Sequence, residues 1–140
     1  MADRGVAPER AVALRVLRRV DGGAYADRAL SAEARRADLD PRVRSQAMRL
    51  VYGTVQRRRT LDWLIDGCLD RPASLEPAVR DILRLGTYEL AYSDGVPAHA
   101  AVDQAAVELQ HPAAVVHPSL VPALRLPRPG VVALAVHAAG

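Results

Sequence analysis

The sequence predicts an all-α fold, and three observations carry that reading. Apolar residues recur at three- and four-residue steps, as in Ala13, Leu14, Leu17 and Val20, or Val79, Ile82, Leu83, Gly86 and Leu90, which is the spacing of one helix face. No alternating strand pattern occurs before residue 110. Half of the 140 residues are apolar, yet aromatics are 4% and Phe is absent. The core must therefore be built from Leu, Val and Ala, which suits closely packed helices.

The first helix is expected from about Pro8 to Val20, with Pro8 in the first turn, where a missing N–H costs nothing. Its apolar stripe leaves Arg10, Arg15, Arg18 and Arg19 projecting elsewhere, and Asp21-Gly22-Gly23 stops it. A second helix, from about Tyr25 to Ala37, is rich in Ala and charge and reads as half exposed. Asp40-Pro41 is the clearest start signal in the chain, a capping carboxylate followed by proline at the first helical position. The third helix places Val43, Ala47, Leu50, Val51 and Thr54 on one face and is expected to be the central buried one, ending near Arg57-Arg58-Arg59. Thr60 is expected to cap a short fourth helix carrying Leu61, Leu64, Ile65 and Leu69, broken by Arg71-Pro72. A long fifth helix begins between Ser74 and Pro77 and stops at Ser93-Asp94-Gly95. The sixth, after Pro97, buries Val102, Ala105, Ala106 and Leu109.

Charge is distributed unevenly. All nineteen cations are Arg, whose planar fork suits phosphate. Residues 1–60 hold fourteen Arg against seven acids, whereas residues 61–110 hold three against nine. A net of +7 followed by −6 points to a basic face contributed by the first half. No run of about 20 apolar residues is present, so no membrane span is expected. The first ten residues lack a secretory apolar segment, and the lone Cys68 excludes an internal disulfide and fits a reducing cytoplasm.

Residues 1–110 read as one helical domain. Residues 111–140 hold five of the ten prolines, three of the four histidines and no acid. They read as an atypical Pro/Ala/Val-rich tail, frame-shifted or disordered, since interior prolines cost a helix roughly 3 kcal/mol or more each.

Three segments carry a resemblance: LVYGTVQRRRTLDWLIDGCLDRP (50–72), LRLGTYELAY (83–92) and VPAHAAVDQAAVEL (96–109). Together they resemble the NusB-like RNA-binding fold, and most nearly the N-terminal domain of the RsmB (Sun/Fmu) ribosomal RNA cytosine-C5 methyltransferases. Asp103-Gln104 stand where that family usually has Asn-Glu. The resemblance implies a bundle of about six helices in two halves that binds RNA and needs no cofactor. It implies a docking module for a methyltransferase whose S-adenosylmethionine-dependent catalytic domain is not in this chain. Two alternatives stay open. One is a free-standing antitermination factor that binds leader RNA together with a small ribosomal protein; the other is a protein-interaction bundle without RNA.

The candidate RNA-binding residues are Arg10, Arg15, Arg18, Arg19, Arg57, Arg58 and Arg59. The resemblance assigns the basic N-terminal segment to RNA, with Arg10 and Arg15 matching best. Arg57 to Arg59 read equally as favourable charge at a helix C-terminus or as phosphate contacts. Charge reversal at Arg10, Arg15 and Arg58 is expected to abolish RNA binding without changing helix content. Tyr52, Trp63, Tyr88 and Tyr92 read as core or its margin rather than as base-stacking platforms, with Trp63 anchoring the two halves. Cys68 reads as a small core residue, and the histidine spacing fits no metal site.

Overall fold

The computed structural model describes residues 5–67, 69, 75–93 and 97–110. They form six helices: α1 (Pro8–Asp21), α2 (Ala26–Arg36), α3 (Pro41–Gln56), α4 (Arg58–Asp66), α5 (Pro77–Tyr92) and α6 (Ala98–Gln110). No strand occurs among the described residues. The expected helix starts at Pro8, Pro41 and Pro77 are observed. Asp40 caps α3, its carboxylate accepting from the Arg42 and Val43 amides at 2.9 and 3.1 Å. The link before it is tight: Asp38 sits at φ 51°, a left-handed conformation that Asp tolerates better than most residues.

The junction between α3 and α4 differs from the expectation. Only Arg57 separates the two helices, and α4 begins at Arg58, so Thr60 lies inside the first turn and caps nothing. The chain turns at Arg57 with φ −107° and ψ 12° and without a side-chain cap.

α1 packs on α2, α3 and α5, while α5 packs on α1, α3, α4 and α6. The first three helices thus form one half and the last three the other, joined where α5 packs on α1 and α3. The core runs through Val12, Leu14, Val16, Val51, Ile65, Val79, Ile82 and Leu85. α5, rather than α3, is the central helix: ten of its sixteen residues are buried. On α3 the buried residues are Ala47, Val51, Gly53 and Thr54, leaving an outer face in solvent. Both helices pack on four others, but α3 keeps Arg42, Arg44, Ser45, Met48 and Arg49 exposed, whereas α5 is buried along most of its length.

Gly86 does what a small residue on a buried face should do. A Cβ there would stand 3.4 Å from Ala105 Cβ, so α5 and α6 meet through small side chains. Ala101 and Ala105 are buried on α6, and so is Glu108. The expected burial of Val102 and Leu109, the assignment of Cys68, and the 111–140 tail lie outside the residues whose side chains are described. Trp63 is corrected outright: it is 74% exposed and anchors nothing. Leu61 and Ile65 are the buried residues of α4, four apart on one face, and Trp63 midway between them points the other way.

Candidate nucleic-acid interface

The seven arginines singled out from the sequence do not form one surface. Arg10 lies in the interior, 3% exposed, between α1, α5 and α6. Its Nε and Nη2 donate to the two oxygens of Glu108, the latter at 3.1 Å, and its Nη1 pairs with Glu89. Burial opposes the charge on Arg10, but Glu108 and Glu89 outweigh it and hold the guanidinium protonated. Burial also pushes the Glu108 carboxyl up, against the pull of Arg10. A guanidinium enclosed by two carboxylates cannot reach a phosphate. Arg10 is therefore removed from the candidate interface, and its periodic match to a basic helix records a structural ion cluster.

The remaining α1 arginines are half exposed and already partnered. Arg15 and Arg19 both approach the buried Glu33 of α2, at 3.5 and 3.4 Å, and Arg36 joins them at 3.5 Å. Arg18 lies between Asp21 and Asp81, at 3.3 and 3.2 Å, and Arg58 reaches Asp21 at 3.1 Å. These pairs spend charge on holding α1 against α2, α4 and α5.

Beneath them lies a denser network. Arg84 grips Asp62 through two donors, at 2.6 and 2.8 Å, and reaches Asp81 at 3.0 Å. Arg80 adds contacts to Asp62 and Asp66 at 3.3 and 2.7 Å. Burial works against the Asp62 charge, but Arg84 and Arg80 hold its carboxyl below the usual range. Asp81 behaves oppositely: burial, and then the adjacent Asp21 carboxylate, push it up to about 7 despite Arg84 and Arg18.

Arginines without carboxylate partners lie elsewhere. Among the described residues, Arg42 and Arg49 on α3, together with Arg57 and Arg59, have no ion pair. Arg42, Arg49 and Arg59 are exposed. Arg42 and Arg49 are two turns apart, so both lie on the outer face of α3, flanked by Ser45 and Gln56. Arg57 follows that face and lies over two rings of α5, 4.5 Å from the Tyr92 centroid and 5.7 Å from that of Tyr88. Tyr88 and Tyr92 are themselves stacked at 6.1 Å and 21°. Gly53 makes room for Tyr88: any Cβ there would overlap the ring. Tyr92 is 43% exposed, while Tyr52 and Tyr88 are half-buried. Sequence reasoning missed Arg42 and Arg49, although their seven-residue spacing opposite Ala47 and Val51 was the available signal.

The NusB family model matches residues 7–112. The chain belongs to the NusB family. This NusB-family chain is 45% identical over 93 residues to the ribosomal RNA small subunit methyltransferase B of Thermus thermophilus, covering 66% of this chain and 23% of that protein. It is 42% identical over 96 residues to a probable ribosomal RNA small subunit methyltransferase B of Synechocystis, covering 67% of this chain and 22% of that protein. It is also 36% identical over 106 residues to the transcription antitermination protein NusB of Geobacillus kaustophilus, covering 71% of this chain and 75% of that protein. The chain thus spans less than a quarter of the methyltransferases it matches, at their N-terminal end, and the rest of those proteins lies outside the match. No solved structure gave a significant match. Among the described residues no group of His, Cys, Asp and Glu is placed to hold a metal, and no helix is long and apolar enough to cross a membrane.

Proposed function

We propose that this NusB-family chain binds RNA as the N-terminal docking module of a small-subunit ribosomal RNA (cytosine-C5) methyltransferase acting in the cytoplasm. The observation that carries this reading is a domain 45% identical to the N-terminal part of one such enzyme, bearing arginines that no carboxylate among the described residues neutralises. Arg59 takes the leading phosphate contact, and Arg57 meets the RNA at the end of α3. Arg15, Arg18, Arg19 and Arg58 contribute less, because each must leave Glu33, Asp21 or Asp81 to reach a phosphate. Such contacts position RNA without reading its sequence. The chain alone takes no cofactor and transfers no methyl group, its role being to hold RNA for a catalytic domain.

Fluorescence anisotropy with fragments of small-subunit ribosomal RNA tests this. Affinity should fall steeply with salt, the logarithm of the binding constant losing about 0.7 for each phosphate contact per decade of salt. Arg59→Glu should weaken binding with helix content unchanged. Salt-independent binding of a protein, with no RNA affinity at low salt, would favour the interaction-bundle alternative instead.

One observation favours a second reading. The match to the Geobacillus antitermination protein covers 75% of that protein. Under this reading the chain is a free-standing antitermination factor, and a leader RNA and a small ribosomal protein should bind it jointly, each tightening the other.

A further inference from the structure

We propose that the outer face of α3 and the Arg57–Tyr88–Tyr92 stack at its end form a surface for single-stranded RNA, in which one unpaired base stacks on Arg57 and Tyr92 while neighbouring phosphates lie along Arg49 and Arg42. This surface rests on the RNA-binding reading and deepens it. It is distinct from the α1 arginines, which are committed to carboxylates. Three features carry the assignment.

The first is uncompensated charge. Arg42, Arg49 and Arg57 have no carboxylate partner among the described residues, in a fold where Glu33 alone draws three arginines and Asp21 also draws three. The second is preorganisation. Arg57 lies against two tyrosine rings that are stacked on each other, so its guanidinium plane is held with little freedom left to lose. Guanidinium planes and tyrosine rings are the surfaces on which splayed-out bases stack. The third is continuity. α3 rises about 1.5 Å per residue, so Arg42 and Arg49 lie about 10 Å apart on one face, and Arg57 follows about 12 Å further along the axis, turned toward α5. A duplex cannot use the stack, since its bases face each other, whereas a single strand can.

The test uses the whole chain and a single-stranded RNA carrying one 2-aminopurine, with the matching duplex as control, at low salt. Stacking on the platform should quench the 2-aminopurine in the parent and in Tyr92→Phe. Tyr92→Ala should abolish the quenching and weaken single-strand binding roughly tenfold, with little effect on the duplex. Arg42→Ala and Arg49→Ala should each lower the salt slope by about 0.7 while leaving the quenching in place. Both lie on the solvent face and leave the core intact. If RNA binds but Tyr92→Ala keeps full affinity and quenching, the surface is overturned and the RNA reading survives. If the parent binds no RNA even at low salt, both fall. A protein partner lost with Tyr92→Ala, beside unchanged RNA binding, would also overturn the surface as an RNA site.

Discussion

Arg10 and Glu108, separated by 98 positions, form a buried ion pair through two parallel donors that fastens the first helix to the last one described. Glu89 on α5 completes the cluster from the other side. Removing one partner of such a cluster leaves uncompensated charge in a low-dielectric interior. Arg10→Ala strands two carboxylates at once and should cost about 3–5 kcal/mol, a large part of the roughly 5–15 kcal/mol typical of a domain. Urea unfolding measures it, and a loss under about 1 kcal/mol would show that the cluster is not buried as described. The expectation that Arg10 can be reversed to Glu without loss of helix is corrected for the same reason: a third carboxylate beside Glu89 and Glu108 should unfold the domain.

Asp81 gives the fold a pH dependence whose sign follows from its raised value of about 7. In the unfolded chain an Asp titrates near ~3.9. Between those values the folded state holds a proton that the unfolded state has lost, so this contribution is fully present below about 4 and is lost as pH rises toward 7. Asp81→Asn is neutral throughout. Its melting temperature should match the parent near pH 3 and exceed it increasingly up to about pH 8, where Asp81 is ionised in both the folded and the unfolded parent. Thermal melts at three pH values decide this. A pH-independent difference between the two proteins would remove Asp81 as the titrating group.

Most of the helices were legible because each is announced locally. Pro8, Pro41 and Pro77 each begin one, Asp40 caps its own neighbours, and the 3.6-residue period of apolar positions marks the inner faces. The start of α4 was not legible, since Arg57 turns the chain without a cap and Thr60 offers a stronger signal than the residue that is used. The candidate site was legible only as composition. Whether an arginine faces solvent or a carboxylate depends on residues far along the chain: Arg10 meets Glu108, Arg18 meets Asp81, and Arg84 meets Asp62. No local pattern distinguishes such an arginine from Arg49, which meets no carboxylate among the described residues. The same limit explains Trp63, since a short helix with two apolar residues four apart can bury only one side.

Trp63 is the single tryptophan, so its exposure is directly readable. Its emission in the folded protein should already lie at the wavelength of a water-exposed indole and shift little on unfolding. Trp63→Ala should change stability by no more than about 0.5 kcal/mol, as expected of a surface substitution without a specific partner. A blue-shifted folded spectrum would mean that the indole is covered in solution.

Gly53 and Tyr88 make a coupled pair that a double-mutant cycle can isolate. An alanine on α3 at position 53 gains about 1 kcal/mol of helix propensity but drives its Cβ into the Tyr88 ring. The ring must swing, and overpacking of this kind costs about 1–3 kcal/mol. Gly53→Ala should therefore be destabilising or close to neutral on its own, and it should also displace the surface on which Arg57 rests. In a Tyr88→Ala background the obstacle is gone, and the same substitution should stabilise by something near the propensity value. Urea midpoints for the four proteins give the coupling energy, which should be at least 1 kcal/mol. Additive effects would mean that Tyr88 does not lie over Gly53.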